Sequence, residues 1–306
     1  MRKILIITSA LLVAPLTVMA QGTVAPPSDT FVFRFQPPEG ITVRQTYKLE
    51  RTRKIEGQAS IQDESESQTE GQFRRVGDGF EYSPKTTASA ARRNGAAITD
   101  PVLGLLSRIQ MTYVISKGGE AIDVRGFADV EQLLKSSQPA RIAAALAPIL
   151  NEASLVEQQK IEWNARYADF ADGSFRIGDV IDVQAPQKLP NGETILYTIR
   201  TSFPGWEPCP AGRCIRLKQI YESDAAELGK LVEGVVGRLS EAKATPVQDD
   251  RGSRITGSLS RLIDPKTMLI YSEEMKRSIS MRIQVPGQGL WPVVQEETRT
   301  YTYAYE

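Results

Sequence analysis

Two cysteines and a complete lack of histidine frame the chemistry open to this 306-residue chain. Cys209 and Cys214 enclose Pro-Ala-Gly-Arg, a turn-forming tetrapeptide, and the spacing suits a disulfide made in an oxidising compartment. Closing so short a loop stabilises a protein by only about 2 kcal/mol, so the bond would hold a loop rather than the whole fold. A thioredoxin-type redox pair has two residues between its cysteines, and here there are four. Hydrolysis by Ser-His-Asp, Cys-His or histidine-bound zinc is excluded, and no Gly-x-Ser-x-Gly elbow or phosphate-cradling glycine loop occurs. Ser240-Glu241-Ala242-Lys243 fits Ser-x-x-Lys, but it stands at a solvated helix end without the companion motifs of penicillin-binding enzymes. Paired carboxylates leave a hydrolase of the glycosidase kind as one alternative. The densest acidic stretch, 62–71, lacks the spacing and central glycine of a calcium loop and reads as a solvated hairpin tip. Neither a metal nor a cofactor is expected.

Aromatic residues form the other candidate constellation. Trp163, Tyr167 and Phe170 recur at helical spacing, Phe203 and Trp206 flank the cysteine loop, and Leu290-Trp291-Pro292 precedes the last strand. Core packing accounts for most of them. Trp206 stands apart, because Ser-Phe-Pro-Gly-Trp-Glu-Pro-Cys reads as a tethered loop that would present its ring as a gate or contact.

These residues must be positioned by the elements around them. Arg2 and Lys3, the apolar run from Ile4 to Val13 and the small residues Val18 and Ala20 read as a signal peptide over 1–20, too short to span a bilayer. No cysteine follows to carry a lipid, and no later run predicts a transmembrane segment, so an exported, periplasmic or extracellular protein is expected. Removing Arg2 and Lys3 takes 37 basic residues to 35 against 37 acidic ones, a formal charge of −2 with no footprint for nucleic acid. Short basic clusters such as Arg51-Thr52-Arg53-Lys54 read as solvated strand faces. Residues 21–30 predict a flexible arm, and 31–306 a single β-rich domain.

Within that domain Ile41, Val43, Tyr47 and Leu49 alternate with Arg44, Lys48 and Glu50, a long strand with one wet face. Likewise Tyr301, Tyr303 and Tyr305 share a face with Arg299 and Glu297. Asn191-Gly192 and Asp264-Pro265-Lys266-Thr267 are hairpin turns. Helices are predicted weakly at 100–109, from about 128 to 165 with interruptions at Pro139 and Pro148, and at 224–243, where Leu228, Leu231, Val232, Val235, Val236 and Leu239 form one stripe. The expected fold class is therefore α+β: one long curled antiparallel sheet with two or three helices on or in it.

Tyr-Val-Ile-Ser-Lys-Gly-Gly-Glu at 113–120, Phe-Arg-Ile-Gly-Asp at 175–179 and Leu-Ile-Asp-Pro-Lys-Thr at 262–267 carry a resemblance. Together they resemble a bacterial family of exported proteins known only as a domain of unknown function, although Val180-Ile181 stand where members often have Trp. Its general form is similar to the unclosed β-barrels of periplasmic lipoprotein carriers. By that fold analogy, non-catalytic binding of a hydrophobic or amphipathic ligand is expected between a concave sheet and helix 224–243, and the tethered loop and the helical stripe supply Trp206, Leu231 and Val235 as candidate contacts. An envelope protein-interaction module without a pocket is the other alternative.

Overall fold

The structure, a computed structural model, describes residues 29–99, 108–137, 143, 147, 150–188, 194–223, 253–285 and 289–306. The expected signal peptide, nearly all of the arm, the helix at 224–243, all but the last two residues of 100–109 and the Asn191-Gly192 turn lie outside them. In chain order the strands are β1 (Thr30–Val32), β2 (Thr42–Ile55), β3 (Ile61–Val76), β4 (Gly79–Tyr82), β5 (Lys85–Arg93), β6 (Ala96–Ala97), β7 (Thr112–Ile115) and β8 (Ala121–Arg125). Helices α1 (Val130–Ser137) and α2 (Glu152–Arg166) follow. The remaining strands are β9 (Ser174–Arg176), β10 (Val180–Lys188), β11 (Thr194–Cys209), β12 (Gly212–Ser223), β13 (Arg254–Ile263), β14 (Ile270–Val285) and β15 (Gly289–Tyr305).

Thirteen described strands make one antiparallel sheet in the order β10-β11-β12-β13-β14-β15-β2-β3-β4-β7-β8, with β5 and β6 branching from β3, while β1 pairs with β9. Among the described residues this sheet does not close. Strands make up 62% of the described residues and helices 11%, so what is described is nearly all-β and the α+β expectation is corrected. Two stretches expected as a tip and a loop are strand instead. The acidic 62–71 segment lies inside β3, where Glu66 and Glu70 reach Lys48 and Arg44 on β2. Residues 204–209 complete β11, with a register shift between Ser202 and Gly205 accommodating Pro204.

Curvature follows from ring contacts. Phe203 on β11 lies 6.1 Å from Phe33, and Phe35 lies 6.1 Å from Phe73 on β3. With two residues of extended chain between Phe33 and Phe35, that path spans under about 20 Å, whereas six flat inter-strand spacings would separate β11 from β3 by about 29 Å. The face bearing Phe73 and Phe203 is therefore concave.

One end of this concavity is filled. Phe31, Phe33 and Phe35 are buried while Val32 and Arg34 between them are exposed, and the segment runs through the core in extended form. Arg34 N donates to Pro265 O at 2.9 Å, Gln36 N to Thr267 O at 3.3 Å and Asp172 N to Phe33 O at 2.7 Å, so this segment is bonded on both sides. Asp264 orders the turn it meets by accepting from Lys266 N and Thr267 Oγ1 at 3.0 and 2.7 Å, as Asp-Pro turn chemistry predicts.

Helix α2 plugs the same end. Asn151 caps it by accepting from Ser154 N at 2.9 Å, and Trp163 donates from Nε1 to Gly119 O at 2.9 Å. Gly119 turns the β7–β8 hairpin with φ +84, and a Cβ there would sit 2.7 Å from the Phe35 ring. Glycine thus serves both the turn and the close approach of the aromatic core.

Candidate ligand-binding face

Beyond the core the concave face continues across the long strands, and strand register sorts its side chains into transverse rows. Arg277 on β14 stands opposite Glu297 on β15, which faces Arg51 on β2, then Asp63 on β3, then Arg93 on β5. Period-two alternation places all five on the face of Tyr47, Leu49 and Tyr301. Arg277 Nη2 donates to both Glu297 oxygens at 3.1 and 3.2 Å, and Arg299 Nε donates to Oε1 at 2.6 Å. Asp63 accepts from Arg51 Nη2 at 2.9 Å and Arg93 Nε at 2.7 Å.

Exposure is layered in this row. The Glu297 side chain is 2% exposed and that of Asp63 10%, whereas Arg277, Arg299 and Arg51 are 30–31% exposed and Arg93 53%. Carboxylates lie underneath and guanidiniums on top. Burial alone would raise the Asp63 pKa, but hydrogen bonds from Arg93 and Arg51 prevail and hold it below the usual range. Burial pushes the Tyr47 hydroxyl up to about 12, against the nearby Arg299.

The other half of this face is apolar. Ile195, Tyr197 and Ile255 are buried, and Ile199, Tyr221 and Ile279 gather on them in a cluster separate from the main core. Gly257 sits between Tyr221 and Arg277 in the register, where a Cβ would come within 2.3 Å of the Tyr221 ring. Its bare backbone lets the ring lie across the sheet. Ile279 and Arg277 are successive inward residues of β14, so the apolar and cationic halves meet along that strand.

At the border with the core, Glu273 takes hydrogen bonds from Arg261 and from Arg166 of α2, whose guanidinium also lies 4.9 Å over the Tyr301 ring. Burial would raise the Glu273 pKa, but the two guanidiniums bring it down to about 2. Arg261 Nη1 donates to Ala165 O at 3.1 Å, a cation on the C-terminal turn of α2.

Of the sequence-predicted site residues, Trp206, Cys209 and Cys214 are described. Trp206 lies on β11 at the core end, half-buried 5.8 Å from Phe31 with Arg213 4.8 Å above its ring, rather than on a presenting loop. The Cys209–Cys214 disulfide closes the β11–β12 hairpin beside it. Leu231, Val235 and the Ser240–Lys243 pair lie outside the described residues. Arg51, Asp63 and Arg277 escaped sequence reasoning, although continuing the alternation of Tyr47 and Leu49 by one step assigns Arg51 and Arg53 to the inward face. Trp163, Tyr167 and Phe170 are core.

A shallow depression of 630 Å³ lies at the β10–β12 edge, lined chiefly by Asp182, Gln184, Thr198, Arg200, Ile220 and Glu222. Its charges are already satisfied in pairs, Arg200 with Asp182 and Glu222 with Arg254. Among the described residues no group of side chains could hold a metal ion, and no helix is long and apolar enough to cross a membrane.

No protein-family model matches the chain, and no curated protein does. Among solved structures it is similar to lipovitellin, in a study of its lipid–protein interactions, at 11% identity and a TM-score of 0.44 over 89% of this chain. It spans 26% of the lipovitellin chain. A protein from Bacteroides fragilis described as exported, with a YmcC-like fold, is similar over 90% of this chain and 99% of its own, at 11% identity and a TM-score of 0.25. A protein from Parabacteroides distasonis described as a lipoprotein is similar over 87% and 97%, at 11% identity and 0.24.

A glycosidase needs one carboxyl group that stays protonated near neutral pH. Asp63 and Glu273 are instead held as anions by paired guanidiniums. Donor-rich guanidiniums beside aliphatic and tyrosine surface offer hydrogen bonds and apolar contact side by side.

Proposed function

We propose that this protein binds an amphipathic ligand, without catalysis, on the part of its concave sheet that carries Arg51, Arg277 and Ile279, in the periplasm of a bacterium. The carrying observation is the division of that face: Ile199, Tyr221, Ile255 and Ile279 on one side, and Arg277, Arg299 and Arg51 on the other, meeting along β14. The Cys209–Cys214 disulfide supports an oxidising compartment. Leu231 and Val235 stay in the proposal as contacts argued from the 224–243 stripe alone.

Purification from an exporting host, followed by solvent extraction and mass spectrometry, tests the reading. We expect a stoichiometric amphipathic compound, depleted in an Ile279→Ser variant and in Leu231 or Val235 variants carrying a charge, with each variant still folded by circular dichroism. A clean, folded protein that takes up neither lipid nor apolar dye sinks the proposal in favour of a solid scaffold for protein partners.

A further inference from the structure

The proposed ligand has a polar end, and the structure speaks to its charge. Arg51, Arg53, Arg93, Arg277 and Arg299 share the far half of the concave face with only two described carboxylates, Glu297 and Asp63. On the opposite face charges pair nearly one to one, Lys48 with Glu66, Lys276 with Glu274 and Arg254 with Glu222. The arginine excess is therefore a property of one face of a chain whose overall charge is balanced.

Hydrogen-bonding capacity points the same way. Each guanidinium offers five N–H donors. Among the described residues Arg277 engages Glu297 through Nη2, and its Nε is buried with no hydrogen-bond partner. Arg299 reaches the same carboxylate through Nε. With Glu297 beneath and both guanidiniums partly exposed above it, donors outnumber acceptors at the surface a ligand would meet. An anion arriving at the exposed side of these guanidiniums would take charge-assisted bonds from the N–H groups that Glu297 leaves free.

Resting on the binding reading above, we infer that the ligand is an anionic lipid whose phosphodiester headgroup sits on Arg277 and Arg299, with its acyl part across the half-buried Ile279, Ile199 and Tyr221. The border on β14 fixes this orientation, because Arg277 and Ile279 are adjacent inward positions of a single strand. Arg51 and Arg93, clamped on Asp63, extend the positive field away from the apolar half.

The test compares dihexanoyl phosphatidylglycerol with zwitterionic dihexanoyl phosphatidylcholine, both below their micellar concentrations, by isothermal titration calorimetry on the mature chain. Wild type should bind the anionic lipid at least about tenfold more tightly. In the Arg277→Gln/Arg299→Gln double variant the preference should fall below about threefold while phosphatidylcholine affinity holds. The Arg277→Lys/Arg299→Lys pair, which keeps the charge, should retain the preference. Equal affinity of wild type for both lipids overturns the headgroup assignment and leaves the binding reading standing, whereas binding of neither lipid overturns both. Persistence of the preference in the Gln pair, its loss in the Lys pair, or displacement of the lipid by equimolar inorganic phosphate each overturns the assignment to these two arginines as a lipid site.

Discussion

The two ends of the concave sheet solve the same problem differently. At the core end the inward side chains are aromatic and the cavity is filled by the chain itself, with Phe31, Phe33, Phe35 and helix α2 occupying it. At the other end the inward side chains are arginine, carboxylate, tyrosine and isoleucine, and their charges are layered rather than neutralised. Both ends use ion triads of two arginines on one carboxylate. Only the environment differs: Glu273 and Arg261 are buried together, while Arg277 and Arg299 stay partly open. Identical side-chain chemistry can thus be closed off at one place and stay partly open to solvent at another.

Breaking the core end should have the largest effect. Phe33 is fully buried, so Phe33→Ala should lower stability by about 3–5 kcal/mol, read from the urea midpoint. A change under about 1 kcal/mol would show that the aromatic thread is not what fills the concavity.

The Glu273 triad comes next. Its folded pKa of about 2 lies below the ordinary 4.5, so its contribution is complete above about pH 5 and disappears as the pH falls toward 2. That shift corresponds to about 3 kcal/mol. Glu273→Gln should therefore flatten the acid limb of the stability profile and, by leaving Arg166 and Arg261 without their counter-ion, destabilise the protein at neutral pH by about 3–5 kcal/mol. An unchanged acid limb would contradict the triad's role.

The smallest effect belongs to the open end. Arg299→Gln should change stability by less than about 1 kcal/mol, since the side chain is 31% exposed and Arg277 still pairs with Glu297. Thermal melts of this variant beside Glu273→Gln sharpen the comparison: similar losses would mean that both triads merely fasten the sheet.

Much of the fold was legible because strand alternation is local. The inward set of β2 from Val43 to Leu49, the shared face of Glu297, Arg299 and Tyr301, and the Asp264 turn all follow from residues near one another in sequence. The acidic strand was misread because its stabilising partners are on β2, and a run of glutamates looks solvated until cross-strand lysine and arginine are placed opposite it. Residues 204–209 were misread because Pro and Gly signal a loop, and only pairing with β12 reveals a bulged strand. For the candidate site, residue types were visible but register was not. Nothing local in Arg51-Thr52-Arg53-Lys54 announces Asp63, Glu297 and Arg277 in the same transverse row.

The aromatic segment Phe31–Phe35 also bears on the order of folding. It is made well before its backbone partners at Gly173, Pro265 and Thr267, and β2 pairs with β15. Phe35 meets Phe73 and Phe80 early, but Phe31 and Phe33 must wait for Phe175 and Phe203, which makes this a slow-closing topology.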